Sequence, residues 1–414
     1  MTHHDSSTAT PPDPLIDAPE RLWGLDPELT FLNHGSFGAV PLAVLEAQSE
    51  WRRKLERDPI EMIARRMSEL LEPPRWSAAE LIGCAPEAVG FTANATGAIN
   101  AVVRSMQFKP GDRLVAPNHV YNAIRQTLRW VAERDGAEYV EIELPLPVAN
   151  ADELADTFVD ALPDRTRLCV IDEISSPTAI RFPIHRIIKA CRELGAEVIV
   201  DGAHAPGMID VDVTSQEALG ALAWTGNFHK WCFVPKGCAV LHVHRDHRDS
   251  IHPSTISHFL GEGFQREFEW QGTIDFTPWL TVPSALAYIE ETFGWDRLRT
   301  HNHDLATWAH AHLCERWGAA PLTPLDGSLL GSMASVVAPP DLKSRLDSTE
   351  HLQHVLYDQF RIETPVHEWG DDWLIRVSAQ AYNRPEQYGQ LADAVLELAR
   401  KGPSIPTRRR VNPI

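Results

Sequence analysis

Two charged residues in the middle of the chain stand where side-chain chemistry is expected. Asp201 ends the apolar run Val198–Val200 and precedes a turn rich in glycine and proline, the position at which open α/β sheets bind ligands. Lys230 lies between apolar stretches, beside His229 and Trp231. Partial burial would lower the pKa of its amine and favour the nucleophilic form. A helix-capping aspartate and a surface lysine are the competing interpretation.

Two further segments have residue types that suit anions. The segment 91–100 runs from a short apolar stretch through Asn94, Ala95 and Thr96 into a predicted helix. Backbone N–H groups at such a helix start suit a phosphate, and a plain Asn or Thr N-cap is the alternative. Arg376 lies within an apolar stretch, so we expect it on a buried strand, where a guanidinium needs an anionic partner.

Histidines offer candidate metal ligands, but no set is complete. The candidates are a pair in the N-terminal tail and a group spaced as on successive turns of one exposed helix: His3 and His4, and His301, His303, His310 and His312. No cysteine or paired acid completes either group into the closed set that zinc prefers. We therefore predict no metal site.

The elements that must position these residues alternate along the chain. Predicted helices cover Leu42–Leu55, Thr96–Met106 and Tyr121–Asp135, and predicted strands cover Leu114–Ala116, Tyr139–Leu144, Leu168–Ile171, Val198–Val200 and Cys238–Val243. Short apolar runs that alternate with helices indicate βαβ units and a mostly parallel, buried sheet. The predicted fold class is α/β, with a large domain around the sheet and a smaller α+β domain.

Composition shifts divide the chain into five predicted parts. These are a flexible tail (1–20), an N-terminal segment that packs with the small domain (21–60), a large ligand-binding domain (61–282), a small C-terminal domain (283–400) and a second tail (401–414). Proline and small polar residues mark the first tail, and prolines with Arg408–Arg410 mark the second.

Charge and cysteine content limit the partners and the compartment. With 38 Lys and Arg against 57 Asp and Glu, the formal net charge is −19, which argues against a nucleic acid or an anionic membrane as partner. The sequence contains no apolar run long enough to span a bilayer and no recognisable secretory signal. Its 6 cysteines form no CxxC pair, which is typical of reduced thiols in a cytoplasmic protein.

Taken in order, the motifs resemble the class V aminotransferase superfamily. The segments that carry the resemblance are Leu32–Gly38, Asn94–Thr96, Ser175–Thr178, Asp201–Gly207, His229–Trp231 with Pro-Lys-Gly after it, Gln271–Asp275 and Ile375–Asn383. Members are fold-type-I enzymes that depend on pyridoxal 5′-phosphate. The opening segment and the His-Lys-Trp motif are most similar to isopenicillin-N-epimerase-like proteins. The resemblance covers roughly residues 25–395.

The resemblance implies roles on the cofactor side of the site. Lys230 would bind the cofactor covalently and transfer protons, Asp201 would pair with the protonated pyridine nitrogen, and His204 would lie near the phenolic oxygen. The residues implied for the phosphate are Asn94, Ala95, Thr96, Asn227 and His229. Gly272 and Thr273 would reach the cofactor of a neighbouring subunit, which implies a homodimer with shared sites.

The resemblance also implies residues around the cofactor ring and the substrate. Tyr121 matches the residue stacked on the ring face opposite Lys230, and His119 is the alternative. Ser176 would lie near the ring oxygen. Arg376 would clamp the substrate α-carboxylate with its bidentate fork. The residues implied as lining of the substrate pocket are Asn33 and His34.

Several reactions remain open for such a site. A persulfide-forming desulfurase would need a cysteine shortly before the carboxylate arginine, and the stretch Thr364–Gly370 has none. Epimerisation needs proton transfer at both faces of Cα, with Lys230 on one face and Tyr121 or His34 on the other. We expect an epimerase or racemase acting on an amino-acid-like substrate. The alternatives are a C–S lyase, an aminotransferase, or a binding protein that keeps the fold without activity.

Overall fold

The structure is a computed structural model that describes residues 10–404. The strands of this part are β1 (Thr30–Phe31), β2 (Val89–Thr92), β3 (Arg113–Pro117), β4 (Glu138–Ile142), β5 (Thr166–Asp172), β6 (Glu197–Asp201), β7 (Ala223–Asn227), β8 (Ala239–Val243), β9 (Met333–Val337), β10 (Ile362–Glu363), β11 (Val366–Trp369) and β12 (Asp372–Ser378). The predicted candidates His3, His4 and Arg408–Arg410 lie outside the described residues.

The helices of the same part flank these strands. They are α1 (Leu42–Arg57), α2 (Met67–Ile82), α3 (Ala95–Ser105), α4 (Asn122–Asp135), α5 (Ala151–Asp160), α6 (Ile184–Glu193), α7 (Val213–Ala218), α8 (Phe228–Trp231), α9 (Phe264–Glu269), α10 (Thr277–Leu280), α11 (Val282–Thr292), α12 (Trp295–Trp317), α13 (Thr349–Phe360) and α14 (Pro385–Lys401). The predicted helices and strands are present, with bounds that differ by a few residues at most.

A seven-stranded sheet forms the larger layer, in the order β2-β8-β7-β6-β5-β3-β4. Strands β3 to β7 pair in parallel, while β8 runs antiparallel to both of its neighbours. This arrangement confirms the predicted α/β class with a mostly parallel sheet. The carboxyl ends of the parallel strands therefore meet at one edge, where the fold collects ligand-binding residues.

Helices cover both faces of this sheet. Along β5, Leu168 and Val170 belong to one buried cluster with residues of α3 and α4. Cys169 and Ile171 belong to another cluster, with residues of α2, α5 and α6. Because successive side chains of a strand point to opposite faces, this split explains the unbroken apolar runs in the sequence. The edge strand β4 is less buried than predicted, since helices cover it only in part.

A smaller sheet lies in the C-terminal third. It has the order β11-β12-β9, is antiparallel, and packs against α12, α13 and α14 through its own buried cluster. The N-terminal strand β1 pairs in parallel with β10, which brings the segment after Thr30 to this part of the molecule. The predicted division into domains stays a prediction.

The expected exposed helix of histidines is partly buried. His310 on α12 is 1% exposed because the helix packs against β9 and α14. No group of three or more His, Cys, Asp or Glu residues within 10–404 is arranged to hold a metal ion. Within the same residues, no helix is both long and apolar enough to cross a membrane.

Candidate active site

Two buried aspartates stand side by side at the carboxyl edge of the large sheet. Asp172 ends β5, Asp201 ends β6, and the two are register partners in parallel pairing. They therefore project from the same face. Burial raises the pKa of Asp201 to about 6. Burial and the neighbouring Asp201 raise the pKa of Asp172 well above its usual range, so Asp172 is the carboxyl that keeps its proton.

Lys230 follows this edge on the short helix α8. Its Nζ lies 3.1 Å from Nε2 of His204. Burial, with a contribution from Arg376, lowers the pKa of the Lys230 amine to about 7, while the Asp201 carboxylate acts in the opposite direction. The amine is thus substantially neutral near pH 7, the state that attacks a carbonyl. The predicted nucleophilic lysine and strand-end carboxylate are therefore brought together.

The start of α3 has an Asn94 N-cap, the predicted alternative to a phosphate site. The Asn94 side chain accepts from the N–H of Gly97 at 2.8 Å. The Ala95 N–H donates to Oδ1 of Asn227 at 2.9 Å, so these two predicted phosphate residues already satisfy each other. The N–H and hydroxyl of Thr96 donate to no acceptor in the described chain. Thr96 is thus the residue at this helix start that is free to bind a phosphate oxygen.

His229 is oriented by the strand beside it. Its Nδ1 donates to the carbonyl of Cys238 at 2.7 Å, which directs Nε2 away from β8. Burial, followed by the charge of Lys230, lowers the pKa of His229 to about 4. A bound phosphate would reverse the second effect, because an anion favours the protonated ring.

Arg376, on the central strand β12 of the small sheet, is 1% exposed. One terminal nitrogen donates to the carbonyl and hydroxyl oxygens of Ser176 at 2.7 and 3.0 Å. The other donates to Ser36 Oγ at 3.0 Å and to Asn33 Oδ1 at 3.4 Å. All these partners are neutral, and within residues 10–404 no carboxylate pairs with Arg376. Burial lowers the pKa of the guanidinium to about 10.

His34 is fully buried and contacts the backbone of Lys230. Its Nδ1 bonds with the Tyr382 hydroxyl at 2.7 Å, and its Nε2 donates to the carbonyl of Lys230 at 3.0 Å. Burial lowers the pKa of the ring to about 3. With both nitrogens in use, His34 is poorly suited to the role of second base. The geometry favours a positioning role for the Lys230 backbone.

The two candidates for ring stacking differ sharply in environment. His119 is fully buried, with Nδ1 bonded to Thr178 at 2.7 Å and Nε2 to the carbonyl of Leu144 at 3.3 Å. Tyr121 is the N-cap residue of α4 and is 36% exposed. The phenol is near enough to Arg376 to act on the pKa of its guanidinium. Tyr121 is therefore the freer of the two to meet a ligand.

Gly272 and Thr273 lie at the surface of the chain, between α9 and α10. Gly272 has φ +105° and is half-buried, and Thr273 is exposed. Neither is among the contacts of Lys230, Asp201 or Thr96. The pair is therefore available to a neighbouring molecule, and its predicted role toward a second subunit stays a prediction.

Sequence reasoning missed three residues that the fold brings to this region. Asp172 stands beside Asp201, Ser36 contacts Arg376, and His367 shares the sheet face of Arg376. A signal was present for Asp172, since it ends an apolar run just as Asp201 does. No sequence signal distinguishes Ser36 or His367.

Comparison with known proteins gives the class of this site. The family model "Aminotransferase class-V" matches residues 38–340. The chain is 32% identical to isopenicillin N epimerase of Amycolatopsis lactamdurans, covering 91% of this chain and 96% of that protein. It is 31% identical to a probable chloroplastic L-cysteine desulfhydrase of Arabidopsis thaliana, covering 91% and 84%.

Solved structures share the fold. The apo structure of a cysteine desulfurase from Thermococcus onnurineus NA1 superposes with a TM-score of 0.75 at 20% identity, covering 92% of this chain and 97% of that one. The chain thus belongs to the class V aminotransferase family and has the fold of type I enzymes of this kind. Its cofactor is pyridoxal 5′-phosphate, and it is a PLP-dependent enzyme.

The residues of the structure fit this cofactor. A buried amine of lowered pKa suits its aldehyde, a buried carboxylate at a strand end suits its ring nitrogen, and a free helix start suits its phosphate. Lys230, Asp201 and Thr96 are the residues that would hold these three groups. Amino-acid-like substrates fit the family, and the choice among its reactions depends on the residues around Cα.

Proposed function

We propose that this enzyme acts at Cα of an amino acid, or of an amino-acid side arm of a larger molecule, and that the reaction is epimerisation. The single observation that carries an amino-acid substrate is Arg376. A fully buried guanidinium with only neutral partners leaves an uncompensated positive charge in the site. Such a charge is costly unless an anion pairs with it. A substrate α-carboxylate, replacing Ser36 and Asn33, supplies that anion.

The positions of the side chains suggest a separate role for each of them in this reaction. When bound, pyridoxal 5′-phosphate supplies an electron sink for negative charge at Cα. Asp201 holds the charge of the ring nitrogen, Arg376 orients the carboxylate, and Lys230 moves the proton at one face. His204 hydrogen-bonds the lysine amine and sets its direction. His34 holds the lysine backbone from below.

Epimerisation needs a second proton-transfer group on the other face, and we assign it to Tyr121. Support comes from the exposure of its side chain at the start of α4 and from its proximity to Arg376. The alternative His34 has both ring nitrogens engaged. Similarity at 32% identity to an isopenicillin N epimerase supports the same reaction.

A C–S lyase is the second candidate. β-Elimination needs only one base at Cα, which Lys230 supplies alone, and the Tyr121 hydroxyl makes no hydrogen bond within the described residues to any group that could activate it. The 31% identity to a probable L-cysteine desulfhydrase supports this reading. The segment Thr364–Gly370 before Arg376 contains no cysteine, so the proposed elimination does not pass through a persulfide on that segment.

Epimerisation and β-elimination can be distinguished by their products in deuterium oxide. The holoenzyme is incubated with L- and D-amino acids and with cysteine conjugates, and products are followed by proton NMR and by assays for ammonia and pyruvate. Deuterium at Cα without release of ammonia supports epimerisation, whereas stoichiometric pyruvate and ammonia support elimination. A keto acid that keeps the side chain of the substrate would indicate transamination and contradict both. Tyr121→Phe should stop epimerisation and spare elimination.

We also propose that the enzyme is a homodimer in which Gly272 and Thr273 complete the partner's phosphate site. Support comes from the exposure of Thr273 and from the open space around Gly272, where no atom lies within 4 Å of an added Cβ. Analytical ultracentrifugation should give a dimer. Mixing inactive Lys230→Ala with Thr273→Asp chains should restore part of the activity, because one of the two sites in a mixed dimer then carries neither change. Monomeric active enzyme would contradict the proposal.

A further inference from the structure

The β11–β12 hairpin carries a histidine that none of the proposed roles uses. Register pairs His367 with Leu374 and Trp369 with Asp372. Residues directly opposite in an antiparallel pair share a face, and so do alternate residues along one strand. His367 and Trp369 therefore project from the same face as Arg376, the residue proposed to bind the substrate carboxylate.

This face of the small sheet is turned toward the large sheet. Ser335, opposite Arg376 on β9, donates to the carbonyl of Pro177 at 2.9 Å, in the loop after β5. The Trp369 ring lies 4.4 Å from the ring of His119, edge to face. His119 follows the carboxyl end of β3 and so belongs to the edge that also bears Asp201. The β11–β12 hairpin thus extends from Arg376 to the carboxyl edge of the large sheet.

His119 is a rigid part of this arrangement. Its two ring nitrogens bond with Thr178 and Leu144, and burial lowers its pKa to about 4. The ring is therefore neutral and fixed at physiological pH. Because it is fully buried, it meets no ligand itself; its ring supports the ring of Trp369.

His367 has the opposite character. Neither of its ring nitrogens has a hydrogen-bond partner within residues 10–404, and Nε2 is buried without one. A buried ring nitrogen without a partner is unfavourable, so a hydrogen-bonding group that pairs with it is favoured. The residue is only half-buried, and its ring lies on the same face as Arg376. Burial, followed by the charge of Arg376, lowers its pKa to about 3, so the ring is neutral.

We propose that His367 and Trp369, the latter supported by the buried ring of His119, form a side-arm subsite, which binds the part of the substrate beyond Cβ. The inference rests on the proposed function, in which Arg376 takes the α-carboxylate. The ligand class is α-amino acids whose side arm carries a neutral hydrogen-bonding group, such as an amide, a hydroxyl or a thiol. That group bonds to His367, and the carbon or sulfur atoms before it pack on the ring of Trp369.

The same subsite rejects a second carboxylate. The cation on this face, Arg376, is used by the α-carboxylate, and a neutral His367 supplies no charge. The hairpin itself adds only acidic residues, Glu368, Asp371 and Asp372. Burying a carboxylate without a partner is far less favourable than burying the amide of the same shape.

Isosteric acid and amide pairs test the inference. Dissociation constants of L-asparagine against L-aspartate, and of L-glutamine against L-glutamate, are measured on the holoenzyme from the change in cofactor absorbance. We expect each amide to bind at least about tenfold more tightly than its acid. His367→Leu should abolish this preference, and His367→Gln, which keeps a neutral donor and acceptor, should retain it. Glu368→Gln, on the opposite face of the same strand, is the matched control and should leave the ratio within about twofold.

The outcomes are distinguishable. Equal binding of acid and amide, or an unchanged preference in folded His367→Leu, overturns the side-arm subsite alone. Tighter binding of the acids overturns it as well. A holoenzyme whose absorbance responds to no amino acid overturns the proposed function, and with it the subsite.

Discussion

The Lys230 amine lies 3.1 Å from Nε2 of His204, and the other ring nitrogen of that histidine receives the indole N–H of Trp231 at 3.4 Å. An indole N–H can only donate, so Nδ1 of His204 is the acceptor and Nε2 carries the proton. His204 therefore donates to Lys230, which requires a lone pair on the amine. This hydrogen bond and the lowered pKa agree that the Lys230 amine is neutral, and the bond to His204 fixes its orientation.

The first prediction concerns the pH dependence of cofactor uptake. The pKa of Lys230 is lowered from its ordinary 10.5 to about 7, so the reactive neutral amine should form as the pH rises through about 7. The rate at which cofactor-free protein takes up pyridoxal 5′-phosphate, followed by absorbance between pH 5.5 and 9, should level off above about pH 8. A rate that continues to rise toward pH 10 would contradict the neutral amine.

The buried amine should also cost stability when it is charged. Because the folded pKa is below the unfolded one, the unfolded chain binds more protons between about pH 7 and 10.5, and the penalty is greatest below pH 7. Lys230→Met should raise the free energy of unfolding of the cofactor-free protein at pH 6 by about 1–3 kcal/mol. Urea titration measures it, and the gain should shrink at pH 10. Destabilisation at pH 6 would count against burial of the charge.

Arg376 should be replaceable by neither lysine nor a neutral residue. Its two terminal nitrogens reach Ser176 on one side and Ser36 on the other, a fork that an ammonium cannot reproduce. Arg376→Lys should raise KM for amino acids by at least about tenfold, with cofactor binding unchanged. Steady-state kinetics and equilibrium dialysis of the cofactor separate the two effects. If the affinity for the cofactor falls as much as the affinity for the substrate, the proposal that Arg376 binds the substrate carboxylate is wrong.

The paired aspartates should respond differently to the same change. Asp172 keeps its proton, so the neutral isostere in Asp172→Asn should alter cofactor affinity by less than about threefold. Asp201→Asn removes the carboxylate that we propose pairs with the ring nitrogen and should lower kcat by at least about a hundredfold. Fluorescence titration with cofactor and kinetics measure the contrast. Equal losses in both variants would mean that the charge is shared by the pair.

Gly38 should be intolerant of a side chain. A Cβ at this position would lie 2.4 Å from the carbonyl oxygen of Lys230, a backbone atom that cannot move aside without displacing the lysine. Gly38→Ala should destabilise the protein by about 1–3 kcal/mol and weaken cofactor binding. Gly389, inside α14 with open space around it, is the matched control, and Gly389→Ala should stabilise by about 0.5–1 kcal/mol. Thermal unfolding compares the two.

Local sequence patterns were enough to predict the class of chemistry, that of a pyridoxal 5′-phosphate enzyme. Apolar runs ending in Asp201, a lysine among apolar neighbours and small residues at a helix start are each set by a few adjacent residues, as are the strands and helices that hold them. These motifs in order predicted the family, the cofactor and the α/β sheet. The buried Arg376 was likewise evident from the apolar residues on both sides of it.

What the tertiary structure decided was which side chains meet and which are free. Arg376 contacts Asn33 across 343 positions of the chain, and His34 reaches the Lys230 carbonyl across 196. Strand register alone set Asp172 beside Asp201, and hairpin register alone placed His367 on the face of Arg376. Propensity and periodicity determine elements because they act over a few residues. Register and packing bring together residues distant in sequence, so they determined that His34 is engaged while Tyr121 and His367 are available.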